Sequence, residues 1–181
     1  MNIRPSFVVY LNNVFEIYTY GWCAEIGVSA GYNASAMLHQ SNINLILVDD
    51  YRNNIEYPDA KQTAKKILVP FSHRILFIKK PSIEASKEVK DSSLDYIYID
   101  GGHEYEDVKT DIEAWYPKLI DKGMLAGHDF WKREVQQAVI DFANKEKLVV
   151  YGISPFGNVS EGIASNGAIM CDWWLFKGVS K

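Results

Sequence analysis

Two cysteines in 181 residues, Cys23 and Cys171, with no CxxC pair, leave nothing from which to build a disulfide framework or a thiolate metal site. Both lie in apolar, strand-like runs and read as small buried hydrophobes in a reducing compartment, so a cytoplasmic protein is expected. A basic surplus is also missing. Nineteen Lys and Arg against 23 Asp and Glu leave a net charge of −4, which argues against a nucleic-acid or anionic-membrane surface. The longest apolar stretch, residues 7–20, is broken by Asn12, Asn13 and Glu16 and has neither a basic leader nor a small-residue cleavage site. It is expected neither to span a membrane nor to export the chain. No internal repeat, low-complexity tract or linker divides the sequence, so residues 1–181 read as a single domain. The G-x-G-x-x-G fingerprint of dinucleotide binders is absent as well.

What is present is an apolar run, Trp22 to Ile26, ending in Gly27, with Gly31 just before a segment able to start a helix at Asn33. A strand, a tight glycine turn and a helix N-terminus let a ligand lie against bare backbone facing unpaired N–H groups. An ordinary strand-to-helix turn explains the glycines equally well. The next strand adds to the signal, because Asn44-Leu-Ile-Leu-Val-Asp49 ends in an acid 22 residues after Gly27. An acid at that distance is what a pair of ribose hydroxyls needs as acceptor, and the pair points to a nucleotide-like ligand.

The remaining order is regular. A short amphipathic helix over 6–17 is expected to cover a sheet edge or a partner subunit, and homo-oligomers are possible through it or through the closing hairpin. Strands are expected at 22–26, 45–49, 74–78, 94–100, 123–126, 148–153 and 168–176, with helices at 33–40, 59–68, from Ser82, 105–116 and 133–145. Pro117 stops the fourth of these helices. The stretch 154–167 is a glycine- and serine-rich loop, so the last two strands form a hairpin and one runs antiparallel. Alternating strands and helices predict an α/β domain, a doubly wound, mostly parallel seven-stranded sheet with helices on both faces. In such a sheet ligands bind at the carboxyl ends of the strands, where Gly27, Asp49, Asp100 and Asp129 all fall.

These motifs resemble a known family, the class I S-adenosylmethionine-dependent methyltransferases, whose sheet is Rossmann-like. Glu25-Ile-Gly27 with Gly31 looks like the family's first motif and Asp49 like its ribose-binding acid. Ile99-Asp100-Gly-Gly-His103, with Leu119-Ile-Asp-Lys-Gly123-Met-Leu-Ala-Gly-His128-Asp129, is similar to the run of its small metal-dependent O-methyltransferases. The resemblance implies that Glu25 and Gly27 hold the methionine end of the cofactor, Asp49 the ribose, and Ser82 and Ile83 the adenine. Two positions depart from it. Lys79-Lys80-Pro81 stands where an acid is common, and Phe130 where related enzymes carry a polar ligand.

Methyl transfer from a sulfonium is an in-line displacement that asks for alignment and a deprotonated acceptor. Asp100 and Asp129, on neighbouring strands about 5 Å apart, could share one hard cation, magnesium or calcium, that gathers a vicinal diol and lowers the pKa of the attacking hydroxyl. His103, three residues after Asp100, is the general-base candidate. Alternatively, both acids and His103 cap the helices that follow. His128 reads as a metal ligand, a cofactor contact or a group orienting Asp129. Lys132 and Arg133 read as a solvated helix start.

The leading expectation is therefore a methyltransferase acting on the hydroxyl of a small sugar or natural-product acceptor. A non-catalytic member that binds the cofactor or a partner through the same pocket is the second reading, motivated by the two departures. A nicotinamide-dependent oxidoreductase is disfavoured by the glycine spacing.

Overall fold

The computed structural model describes residues 21–52, 58–153, 159–161 and 172–179, so the helix expected over 6–17 and Cys171 lie outside the described residues. Five strands, β1 Trp22–Ile26, β2 Asn44–Val48, β3 Ile75–Ile78, β4 Leu94–Ile99 and β5 Leu119–Gly127, run parallel. Between and after them come α1 Tyr32–Gln40, α2 Ala60–Leu68, the one-turn α3 Ser82–Ser86, α4 Tyr105–Trp115 and α5 Arg133–Glu146. Three further strands, β6 Tyr151–Ile153, β7 Val159–Glu161 and β8 Asp172–Phe176, complete a sheet of order β3-β2-β1-β4-β5-β8-β6-β7. The doubly wound class is as the sequence predicts, with the three-residue β7 added inside the stretch expected to be loop.

The inner strands are largely apolar, with Glu25 and Asp95 the acids within β1 and β4, because both of their faces are covered. On one face Ala24, Ile26, Ile46, Val48, Ile97 and Ile99 meet α4 and α5 through Ile112, Trp115, Val135 and Val139. On the other, Cys23, Leu45, Leu47, Tyr96 and Tyr98 meet α1 and α2 through Ala34, Met37, Leu38, Ala64 and Leu68. The spacing of Ala34, Met37 and Leu38 is what puts one stripe of α1 on the sheet. Trp173 and Trp174 are fully buried core residues.

The closing hairpin has an unexpected placement. Strand β8 enters between β5 and β6, pairing antiparallel with both. A hydrogen bond from the Tyr98 hydroxyl to Asp172 ties β8 to β4 across Ala126, whose small side chain leaves room for the ring. Strand β5 begins at Leu119, four residues earlier than its apolar core suggests, because Lys177 N donates to Gly123 O and Lys122 N to Lys177 O along this stretch. Among the described residues no helix is long and apolar enough to cross a membrane.

The winding reverses between β1 and β4. Chains leave those two strands in opposite directions, which opens a crevice at their carboxyl ends.

Candidate functional site at the carboxyl ends of the strands

Gly27 follows β1 at φ 88°, a left-handed conformation that side chains resist, and its N–H donates to Val48 O. A Cβ there would stand 2.1 Å from the Asp100 carbonyl oxygen. The glycine turn and the first strand-end acid are thus in direct backbone contact, which makes one crevice of two loops 73 positions apart in the chain. Gly31 plays a different part. At φ 76° it is the N-cap of α1, and its α-carbon faces Ala64 and Leu68 of α2. A ligand can meet only its backbone.

Asp49 closes the turn. Its Oδ2 accepts from Val28 N at 2.9 Å and Ser29 N at 2.8 Å, and its Oδ1 accepts from Tyr51 N at 2.7 Å. The carboxylate that the resemblance assigns to the ribose therefore already organises the loop, and one acceptor position of its four remains for a ligand hydroxyl.

Beneath the turn, Glu25 is buried. Its Oε1 accepts from Asn33 Nδ2 at 2.9 Å, so Asn33 sits within the first turn of α1 holding Glu25 instead of capping the helix. Glu25 Oε2 has no hydrogen-bond partner among the described residues, and neither has the buried Tyr51 hydroxyl. Burial pushes the Glu25 carboxyl up to about 8; the Asn33 amide opposes the rise, and the charges of Asp100 and Asp49 add to it. Tyr51 itself is held at φ 58°, and burial together with Asp49 and Glu25 raises its phenol. Two buried polar atoms without partners beside the glycine turn are what a ligand with an ammonium group and hydroxyls would satisfy, so these residues fit the amino-acid end of S-adenosylmethionine.

The loops after β4 and β5 together gather two carboxylates and two imidazoles. His103 Nε2 lies 2.7 Å from Asp129 Oδ2, and His128 Nδ1 lies 3.2 Å from Asp129 Oδ1 and 3.7 Å from Asp100 Oδ1. Trp131 Nε1 donates to Asp129 Oδ1 at 2.9 Å and Lys132 Nζ to Oδ2 at 3.2 Å. Burial opposes charge on Asp129, but His128, Lys132 and His103 outweigh it and hold the carboxyl well below the usual range. Asp129 sits at φ 59°, a bend that turns its side chain back over the cluster. Helices α4 and α5 start at N-caps Glu104 and Lys132, neither with a side-chain cap, so capping is not what Asp100 and Asp129 do.

These donors fit a divalent cation. Ligand atoms of Asp100, His103 and Asp129 all lie within 4.8 Å of one another, and His128 Nδ1 faces both carboxylates. The sequence expects Asp100, Asp129 and His128 to share an ion. The structure instead groups His103 with the two acids, on the opposite oxygen of Asp129 from His128, while His128 stands against both carboxylates without completing that group. Phe130, a departure from the metal-dependent pattern, is buried in the core and takes no part.

Ser82 and Ile83 divide. Ile83 is exposed at the start of α3 and free to cover a planar ligand. The Ser82 hydroxyl is already committed: it accepts from Trp115 Nε1 at 2.8 Å and donates to Asp111, leaving the adenine only the backbone at this residue. Asp111 is buried beneath the Gly101-Gly102 turn, with its Oδ2 3.3 Å from where a Gly101 Cβ would be. Burial raises its carboxyl to about 6, Ser82 works against the rise and Asp107 adds to it. A raised folded value means the folded chain holds the proton more tightly, so stability is present below the ordinary carboxylate range and lost as pH rises through about 6. Asp111→Asn keeps the acceptor for Ser82 and removes the charge. It should be about 2 kcal/mol more stable than the parent in urea at pH 8 and gain nothing near pH 4. A difference independent of pH would contradict this account.

Lys132, read from sequence as solvated, bonds Asp129 from three residues away, and Trp131 bonds the same acid. Neither leaves a pattern in sequence, since both contacts depend on the bend at Asp129. Asn33 is the residue a closer reading could have found, because it stands in the first turn of the helix eight residues after an acid in the first motif.

A profile described as a methyltransferase domain matches residues 24–130, more than half of the chain, and takes in the glycine turn, Asp49, Asp100, His103, His128 and Asp129. An uncharacterized protein of Sinorhizobium fredii, y4gI, is 42% identical over 57 residues, which is 32% of this chain and 6% of that one. Among solved structures, a SAM-dependent O-methyltransferase of Thermotoga maritima is 11% identical at a TM-score of 0.64, covering 98% of this chain and 66% of that one. The precorrin 8w decarboxylase of Methanobacterium thermoautotrophicum is 14% identical at 0.64, covering 95% and 89%. A tRNA methyltransferase of Aquifex aeolicus is 12% identical at 0.65, covering 96% and 68%. Activities that differ this much on one architecture show that the fold alone is shared. With the family's profile running from β1 through Phe130, over the glycine turn and both strand-end acids, the chain belongs to the class I S-adenosylmethionine-dependent methyltransferases.

Proposed function

We propose that the chain methylates a hydroxyl oxygen of a small acceptor, with His103 as general base and Asp100, Asp129 and His128 able to hold a divalent cation beside it. The observation that carries this is the contact of Gly27 with the Asp100 peptide, which puts the cofactor turn and the carboxylate–imidazole cluster on one crevice. S-adenosylmethionine supplies an electrophilic methyl group on sulfur. The acceptor oxygen forms its bond to that carbon as the carbon–sulfur bond breaks, and its proton passes to His103. His103 is nearly half exposed, so an acceptor can reach it, while Asp129 holds its Nε2. A cation held here would contribute Lewis-acid charge that lowers the acceptor's pKa. Because imidazole nitrogens join the carboxylates, manganese or zinc is a better first candidate than calcium, whose ligands are oxygens. The net charge of −4 supports a small-molecule acceptor over a nucleic acid.

Calorimetry tests the reading. S-adenosylhomocysteine should bind, and a second titration with manganese should give heat that EDTA abolishes. No heat from S-adenosylhomocysteine at millimolar concentration would sink the assignment. Heat from it but none from the metal would keep the methyl transfer and remove the cation.

A further inference from the structure

We propose that Trp131 is the stacking platform for the methyl acceptor, and that the acceptor is accordingly a ring compound carrying a hydroxyl. This rests on the methyltransferase reading and adds the shape of its substrate. Trp131 is 56% exposed, whereas its neighbour Phe130 is buried and supplies the core contact at this turn. The indole is nonetheless not loose. Its N–H is fixed to the buried Asp129 carboxylate at 2.9 Å, and Asp129 at φ 59° bends the chain so that the ring lies beside the cluster. Lys132 Nζ stands 5.4 Å from the ring centroid, an ammonium shared between the indole and Asp129.

This flat apolar surface stands exposed, one hydrogen bond from the Asp129 carboxylate, and is not part of the core. It suits a ligand with a flat face of its own. The indole and His103 bond the two oxygens of one carboxylate, so a ring laid on the indole would sit in the neighbourhood of that histidine. A linear alcohol would gain little from that surface. Phenolic rings and sugar rings both offer the required face, the first by π stacking and the second by its C–H bonds.

Saturation-transfer NMR with catechol, methyl glucopyranoside and 1-butanol, in the presence and absence of S-adenosylhomocysteine, separates these. The protein should bind at least one ring probe and not butanol, and whichever ring binds names the source. Trp131→Ala should weaken that binding about tenfold, the size of one stacking contact, and Trp131→Phe should keep most of it. S-adenosylhomocysteine should bind the alanine variant as it binds the parent, showing the crevice intact. If neither ring binds, or Trp131→Ala binds it equally well, the inference is overturned. Failure of S-adenosylhomocysteine to bind the parent would count against the functional reading, while the ring comparison without it still decides the role of the indole.

Discussion

Titrated from about pH 5.5 to about pH 7.5, S-adenosylhomocysteine should bind up to tenfold more tightly for each unit of pH, with the rise flattening near pH 8. The cause is Glu25. In the free protein its carboxyl is buried with one oxygen bonded to Asn33 and the other unpartnered, and burial keeps it protonated up to about 8. The ligand's ammonium is a donor that only the carboxylate form accepts well, so binding must expel the proton. The sign follows from linkage: the complex holds fewer protons than the free protein, so affinity increases with pH until the free carboxyl ionises unaided. Proton release can be read directly as binding heat that varies with the ionisation enthalpy of the buffer. Glu25→Gln should flatten the pH dependence and cost about 2 kcal/mol of affinity at pH 7.5, the size of a charge-assisted hydrogen bond. A parent whose affinity does not move with pH, or a glutamine variant whose affinity moves equally, would show that Glu25 does not meet the ammonium.

That dependence could not have been read from the sequence, although Glu25 itself could. The fold was legible because its signals are local: apolar runs ending in Gly27, Asp49, Asp100 and Asp129 mark strand ends, and strand ends in a doubly wound sheet share one edge. The roles of those residues were less legible, because each depends on partners brought from elsewhere. Asp49 looks like a waiting ribose acceptor until the turn's Val28 and Ser29 are seen to occupy it. Ser82 looks like an adenine contact until Trp115 and Asp111, from a helix two elements on, are seen to claim its hydroxyl. Lys132 looks solvated until a left-handed bend at Asp129 brings it onto the carboxylate. In each case a polar side chain has hydrogen bonds taken up by a neighbour that periodicity does not reveal.

The cluster at β4 and β5 offers the sharper test, because its two histidines lie on opposite oxygens of one acid. His128 Nδ1 faces Asp129 Oδ1 and Asp100, whereas His103 Nε2 faces Oδ2. If His103 is the base and His128 a ligand, their removal must separate two measurements. His103→Ala should lower turnover by about 10²- to 10⁴-fold, the usual contribution of a positioned base, with manganese heat and S-adenosylhomocysteine affinity unchanged. Added imidazole should restore part of the rate, since the vacated position is open to solvent. His128→Ala should instead lose the manganese heat, and excess metal should recover some of its turnover. Asp129→Asn removes the group common to both and should lose the metal heat and the rate together. A His103→Ala protein that turns over at the parent's rate would dismiss the base. If His103→Ala and not His128→Ala abolished the metal heat, His103 would be the ligand, and the proton would have to leave by a different path.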